Sequence, residues 1–128
     1  MWSDRYSYYE IRASATYSAT ADTKQIRNVL DALPELQRTG TVSYVNAIGF
    51  PWLELSLVTG KDGNFHVFTD TWTEQFNMIP IVCAKSDQGH VPASQLSFLV
   101  KLAQLLNWEL IWEEDEDGNE DVILWRPN

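Results

Sequence analysis

The chain has 128 residues, of which 45% are hydrophobic and 21% charged, and its formal net charge is -9. A chain of this length predicts a single domain over residues 1–128 that buries about two-thirds of its unfolded surface without a disulfide or a metal. The one cysteine excludes an internal disulfide, and neither a signal peptide nor an apolar run of roughly 20 residues is evident. We therefore predict a cytoplasmic protein.

Hydrophobic periodicity predicts a mixed order of strands and helices. In chain order the strands are expected at 6–17, 41–48, 52–59, 64–69, 79–84, 108–114 and 120–126, and the helices at 23–33 and 92–106. Residues 70–78 are expected to form an irregular loop. The order β-α-β-β-β-β-α-β-β with antiparallel hairpins indicates an α+β domain, with a largely antiparallel sheet of about six to seven strands.

Alternation along the strands predicts a sheet with one solvated face. Residues Tyr9 and Ile11 share one side of the first strand, whereas Glu10 and Arg12 share the other. The strand at 52–59 likewise separates Leu53, Leu55 and Leu57 from Trp52, Glu54 and Ser56.

Each predicted helix carries one apolar stripe and recognisable ends. Asp22 resembles an N-cap before the first helix, and Pro34 stops the pattern. Pro92 begins the second helix and Asn107 is expected to end it. The stripes are Ile26, Val29, Leu30 and Leu33 in the first helix, and Leu96, Leu99, Val100, Ala103 and Leu106 in the second. One stripe per helix predicts that both helices pack on the same face of the sheet.

The negative charge is concentrated in one short segment. Seven acids and no base lie between residues 113 and 121, and the remaining 11 acids nearly balance the 9 bases of the chain. The sequence Asp117-Gly118-Asn119 predicts a turn, which places this acidic run at the tip of the last hairpin. Such a run is either a solvated turn or an electrostatic landing site for a cationic partner.

The acidic run fails as a calcium-binding loop. Glu113, Asp115, Asp117 and Gly118 fall at the first, third, fifth and sixth positions of an EF-hand pattern, but Leu124 stands where a bidentate glutamate is required. Strands rather than helices are expected on both sides. We therefore predict no metal site.

Candidate catalytic and nucleic-acid-binding patterns are also incomplete. Cys83, His66 and His90, with Asp70 or Asp87 to orient an imidazole, lack a spacing that ties them together. Residues 61–68 faintly resemble an RNA-binding aromatic strand, but 9 bases against 18 acids argue against direct nucleic-acid contact. No cofactor fingerprint is present. A pair of carboxylates for glycoside chemistry remains open, because sequence does not show their separation.

Six tryptophans and five tyrosines exceed what the predicted core stripes need, and several adjoin acids. Aromatic side chains with acidic neighbours favour a surface that binds a basic partner. The predicted partner-binding residues are Asp70, Trp72, Glu74, Trp52, Glu54, Trp112, Glu113, Glu114, Asp115, Glu116 and Asp117. The alternative for Trp108, Trp112 and Trp125 is that they attach the last hairpin to the sheet.

These features favour a small acidic inhibitor that covers the active site of a basic enzyme such as a nuclease toxin. Bacterial immunity proteins share this small size and acidity, which is a likeness of class and not of motif. The alternative is a small-ligand-binding domain or enzyme that uses the outer face of the sheet, with Glu54 and His66 as polar groups. A structural or adaptor subunit is the third hypothesis. We predict no membrane partner, and the sequence leaves the oligomeric state open.

Overall fold

The computed structural model describes residues 5–14, 16, 19–59 and 70–127. These residues form β1 (Tyr6–Arg12), β2 (Ala21–Asp22), α1 (Thr23–Asp31), β3 (Leu36–Arg38), β4 (Ser43–Asn46), β5 (Leu53–Ser56), β6 (Gln75–Phe76), β7 (Met78–Ala84), α2 (Ala93–Leu106), β8 (Glu109–Glu114) and β9 (Glu120–Trp125). Seven strands make an antiparallel sheet in the order β3-β4-β5-β7-β1-β8-β9, and β2 pairs with β6. The predicted α+β class is confirmed.

Both helices cover the same face of the sheet, as predicted. Strand register aligns Tyr44 of β4 with Tyr9 of β1 through β5 and β7, so both side chains project from one face. The Tyr44 hydroxyl donates a 2.8 Å hydrogen bond to Asp31 at the end of α1. Leu96 of α2 lies beside Tyr9. The core therefore forms between this face and the two helices.

The helix ends follow from local chemistry. The Asp22 side chain accepts a 3.2 Å hydrogen bond from the backbone N–H of Lys24, which caps α1 as expected. The helix ends at Asp31, two residues before the predicted boundary, and Val29 of its expected stripe is exposed. At the end of α2, Asn107 adopts a left-handed conformation with φ of 57° and closes the helix.

Helix α2 packs more broadly than its single stripe predicted. Phe98 and Leu102 are buried together with Leu99 and Ala103. Neither helix in the described ranges is long and apolar enough to cross a membrane.

Several strand boundaries differ from the prediction. The first strand ends at Arg12 rather than at residue 17, because the chain turns where the Ser14 and Thr16 hydroxyls approach to 2.8 Å. The short strands β2, β3 and β6 were not predicted, and β6 and the start of β7 replace part of the expected loop at 70–78. Strands of two or three residues leave too few positions for a periodic signal. The strand expected at 64–69 lies outside the described residues.

The prediction of a solvated second face is wrong around β1. Glu10 and Arg12 are only 5% and 7% exposed, and Ser56 of β5 is fully buried. Arg12 donates from Nη1 to Glu10 at 2.8 Å and from Nε to Glu109 of β8 at 3.0 Å. Ion pairing permits this burial, since a buried charge is tolerated only when it is paired. We name these three residues, Glu10, Arg12 and Glu109, the buried triad.

Replacing the central residue of the buried triad tests its role. Arg12→Leu leaves two nearby carboxylates without their shared cation, so we expect the free energy of unfolding to fall by about 3–5 kcal/mol. Arg38→Leu is the matched control, because Arg38 pairs with Asp31 at 3.2 Å on the exposed surface. That change is expected to cost less than about 1 kcal/mol. Equal losses in urea unfolding would show that the triad contributes no more than a surface pair.

Candidate functional site

The last hairpin carries the acidic run at its tip, as predicted. The Asp115 carboxylate accepts hydrogen bonds from the backbone N–H groups of Asp117 and Asn119, both at 2.9 Å, and from the Asn119 side chain at 3.0 Å. These bonds, led by the Asn119 side chain, lower the pKa of Asp115. Gly118 supplies the left-handed position of the turn, with φ of 83°. The tip is therefore an ordered turn that Asp115 holds together.

A cleft of about 620 Å³ lies beside this tip, where the start of β1 meets the end of β8. Its described lining contains a single cationic side chain, Lys85. Three aromatic residues, Tyr6, Tyr8 and Trp112, contribute to its walls. Its six carboxylates belong to Glu113, Glu114, Asp115, Glu116, Glu120 and Asp121. We call this site the acidic cleft.

Glu113 has the most strongly perturbed carboxylate of the acidic cleft. Burial is the main cause that raises its pKa from 4.5 to about 7, and the negative charges of Glu10 and Asp121 raise it further. Burial opposes ionisation because the charged carboxylate loses its hydration, and the like charges nearby add to this effect. The Glu113 carboxyl group therefore titrates near neutral pH, and a cation that enters the cleft favours its ionised form.

Trp112 belongs partly to the core and partly to the acidic cleft. Its ring stacks on Tyr9 with centroids 6.1 Å apart, and its Nε1 donates to the Ser7 hydroxyl at 2.8 Å. These contacts attach the hairpin to the sheet, which is the structural role considered for this residue. Burial raises the pKa of Tyr9 to about 12, so this supporting hydroxyl stays neutral.

Trp52 extends the aromatic surface of the acidic cleft. It is 41% exposed, and its ring centroid lies 5.5 Å from that of Tyr6. The buried Gln95 side chain of α2 donates to the backbone carbonyls of Pro51 and Trp52, both at 3.0 Å, and so fixes the start of β5. Glu54 follows in β5, half-buried and opposite Val82 in the register.

The structure separates Trp72 and its acidic neighbours from the acidic cleft. The cleft adjoins Tyr6, whereas residues 70–74 precede β6 and lie toward the end of the sheet where Arg12 pairs with Met78. The seven residues of β1 between these ends span about 20 Å. Trp72 is 40% exposed, and the Arg27 guanidinium lies over its ring, 5.4 Å from the centroid. The predicted partner-binding residues thus form two groups at opposite ends of the sheet.

Asp70 binds the backbone of a neighbouring turn. Its carboxylate accepts hydrogen bonds from the N–H groups of Thr41 at 2.9 Å and Val42 at 2.8 Å, and from the Ser43 hydroxyl at 3.0 Å. The bond from Val42 is the main cause that lowers the pKa of Asp70. A Cβ atom at Gly40 would collide with this carboxylate. Asp70 therefore stabilises this turn, a structural role that its position in the sequence did not predict.

The candidate catalytic residues are not assembled into a nucleophilic site. Cys83 is fully buried, and burial raises the pKa of its thiol to about 12. His90 is exposed, with Nδ1 3.3 Å from Glu116 of the tip. His66 lies outside the described residues. Within the described part of the chain, no group of three His, Cys, Asp or Glu residues is placed to hold a metal ion.

Seven residues that line the acidic cleft were not among the predicted partner-binding residues: Tyr6, Ser7, Tyr8, Lys85, Gly118, Glu120 and Asp121. Tyr6 and Tyr8 occupy alternate positions of β1, and this spacing was the available signal that they share a side. Lys85 left no such signal, because it reaches the cleft from the far end of β7. No known family model matches the chain, and no curated protein or solved structure matches it significantly.

The raised pKa of Glu113 predicts a pH-dependent stability. Because the folded state holds this proton more tightly than the unfolded state, stability should fall as the pH rises from about 4.5 to about 7, with the full loss above that range. Glu113→Gln should therefore stabilise the protein by about 1–3 kcal/mol at pH 8 and have little effect near pH 4. Thermal unfolding across this range measures both values.

The exposed neighbour Glu114 provides the control for this experiment. Glu114→Gln should change stability by less than about 0.5 kcal/mol at either pH. An effect of Glu113→Gln on stability that is the same at pH 4 and pH 8 would contradict the raised pKa of Glu113.

The three hydrogen bonds to Asp70 predict a stabilising role for this residue. Asp70→Asn removes the charge and one acceptor oxygen, so we expect the free energy of unfolding to fall by about 1 kcal/mol at neutral pH. The difference should shrink in acid, where the wild-type carboxylate protonates and loses the same interactions. Urea unfolding tests this against Asp87→Asn in an exposed loop. Equal stability of the two variants would refute the prediction.

Proposed function

We propose that this protein is a small acidic binding module that neutralises a basic enzyme, such as a nuclease toxin, by covering its active site. The observation that supports this function is the acidic cleft, in which six carboxylates meet three aromatic side chains and one lysine. A nuclease active site carries cationic groups that bind phosphates, and carboxylates held in a cleft offer those groups a competing anionic surface. By its size and charge, the module is of the kind that bacterial immunity proteins represent.

The charge distribution supports a two-step mechanism of binding. The carboxylates of the tip attract a cationic partner over distances of about 8 Å at physiological salt, which raises the association rate. After encounter, Tyr6, Tyr8 and Trp52 contribute large side chains that lose water and slow dissociation. The carboxylates thus raise the association rate, whereas the aromatic side chains slow dissociation of the complex.

The ordered tip favours affinity. Because the hydrogen bonds to Asp115 already hold the turn, little conformational entropy is lost when a partner binds there. A cationic group close to Glu113 also lowers the pKa of this carboxyl, so binding releases a proton. The proposal therefore includes tighter binding at pH 8 than at pH 6.

The proposal also includes a cytoplasmic location. Cys83 is the single cysteine, and it is a buried free thiol. The protein therefore needs no oxidising compartment for its stability, which supports a reducing one.

The pKa of Glu113 favours a second candidate function, binding of a small cationic ligand or an enzymatic reaction on it. A concave site with polar side chains and a perturbed carboxyl is typical of small-ligand sites, and Tyr8 adjoins Glu113 in the cleft. Spermidine is a suitable probe. Binding of spermidine that leaves a basic nuclease fully active would favour this function over inhibition.

Neutralising the tip tests the proposed inhibition. We would replace Glu114, Glu116, Asp117 and Glu120 by Gln or Asn and keep Asp115, because Asp115 holds the turn. The variant should bind a basic nuclease at least about tenfold more weakly, which corresponds to about 1.4 kcal/mol, mainly through slower association. The measurements are association kinetics at low and high salt with purified nuclease toxins, and inhibition of oligonucleotide cleavage.

Two controls separate a local effect from net charge. The first converts exposed neutral residues away from the cleft to lysine, which raises the net charge by the same four: Gln25, Asn28, Gln37 and Gln104. The second is Trp72→Ala at the opposite end of the sheet, which should leave the association rate unchanged. Unchanged affinity of the neutralised variant would show that the acidic run is only a solvated turn. Failure of the wild type to inhibit any basic nuclease tested would contradict the proposed function.

A further inference from the structure

A second, smaller pocket opens beside the acidic cleft on the helix-covered side of the sheet. It has a volume of about 130 Å³. Its apolar walls come from Tyr9, Val91, Leu96, Trp112 and Leu124. The pocket and the cleft share Ser7, Lys85, Trp112 and Glu116, so the two sites are continuous. We call the smaller site the apolar pocket.

We propose that the apolar pocket binds one apolar side chain of a partner segment whose neighbouring residues are basic. This inference rests on the proposed function, and it names the sequence feature that the partner presents. The volume suits one such group, because engineered apolar cavities of about 150 Å³ accept a benzene-sized molecule. The pocket therefore has room for one leucine or phenylalanine side chain and little more.

The walls of the apolar pocket are held by the fold. Leu96 lies in the first turn of α2, directly after the helix begins at Ala93. Trp112 is fixed by its stack on Tyr9 and by its hydrogen bond to Ser7. A shift in strand register between Leu110 and Ile111 leaves Leu124 as an extra residue in β9, and its side chain completes the wall. A preformed apolar wall of this kind binds a side chain without a large cost of ordering.

Charge complementarity identifies the occupant. Glu116 lines both sites and lies 3.3 Å from His90, so a carboxylate stands where the two sites join. Five further carboxylates line the cleft beside it, and Lys85 supplies the one amine among the described lining residues. A segment that places an apolar side chain in the pocket therefore has its flanking residues next to carboxylates. Lysine or arginine suits these flanks, whereas glutamate would be repelled.

Short peptides test this inference directly by isothermal titration calorimetry on the wild-type protein. The probes are capped pentapeptides with a central leucine between two pairs of lysines, the same peptide with a central serine, and both peptides with glutamates as flanks. We expect the leucine peptide with lysine flanks to bind about tenfold more tightly than its serine counterpart, because the leucine leaves water. Equal affinities, within about twofold, would overturn the inference.

A substitution that fills the apolar pocket tests whether the central leucine of the peptide binds there. Leu96→Phe puts extra volume into the apolar pocket and should reduce the advantage of leucine over serine to less than about twofold, with salt-dependent binding of both lysine peptides retained. Leu105→Phe is the matched control, because Leu105 lies on the same helix, is 51% exposed and does not line the pocket. An advantage of leucine that survives Leu96→Phe would place the binding site elsewhere.

The peptide series also separates failure of this inference from failure of the proposed function. If glutamate-flanked peptides bind as well as lysine-flanked ones, the acidic cleft does not select cations and the proposed function is wrong. If lysine flanks strengthen binding but the central leucine does not, only the role of the apolar pocket is wrong. Binding of none of the peptides would contradict both.

Discussion

The guanidinium of Arg12 is the interaction on which the arrangement of the sheet depends. It lies between Glu10 and Glu109, at 2.8 and 3.0 Å, and joins two strands on the face that the helices leave uncovered. On the opposite face of the same strand, Tyr9 and Ile11 pack into the core. From Tyr9 to Arg12, strand β1 is therefore buried on both faces, and it pairs with β7 along one edge and with β8 along the other. On one face of β1 ion pairing permits the burial of charged side chains, and on the other face apolar side chains are buried in the core.

Neighbouring carboxylates of the same sheet lie in different electrostatic environments. Glu10 and Glu109 share the guanidinium of Arg12. Glu113, farther along β8, is partly buried close to Glu10 and Asp121, and its pKa rises to about 7. The acidic cleft lies where the sheet supplies carboxylates and, in its described lining, Lys85 as the one cation. Among the described lining residues the carboxylates outnumber the cation, and this excess of negative charge supports the proposed cationic partner.

The proposed function depends on this excess of negative charge and on a cleft whose walls are held by defined contacts. The turn at Asp115, the stacked ring of Trp112 and the anchored start of β5 hold the cleft and its aromatic rim in place. The apolar pocket adds shape selection to charge selection, since its walls come from α2 and from the irregular pairing of β9. In the proposed function, long-range attraction and short-range fit therefore arise at adjoining sites and act on the same partner segment.

The sequence by itself determined the α+β class, the start of α1 at the Asp22 cap, the end of α2 at Asn107 and the hairpin with its acidic tip. These features depend on local periodicity, on capping residues and on the turn at Gly118. Only the tertiary structure decided which faces are buried and which candidate residues meet. Alternation correctly placed Glu10 and Arg12 on the second face, but it did not show that both are buried there or that Arg12 pairs with Glu109, which is distant in sequence.

The same limit applied to the site. Sequence proximity grouped Trp72 with Asp70 and Glu74, whereas the fold put them at the end of the sheet remote from the tip, with Asp70 bound to the backbone at Thr41 and Val42. Tyr6 and Lys85 entered the acidic cleft only through the pairing of β1 with β7 and β8. Local signals describe how a segment folds, but long-range strand pairing determines which segments share a site, and that pairing is set by the packing of the whole chain.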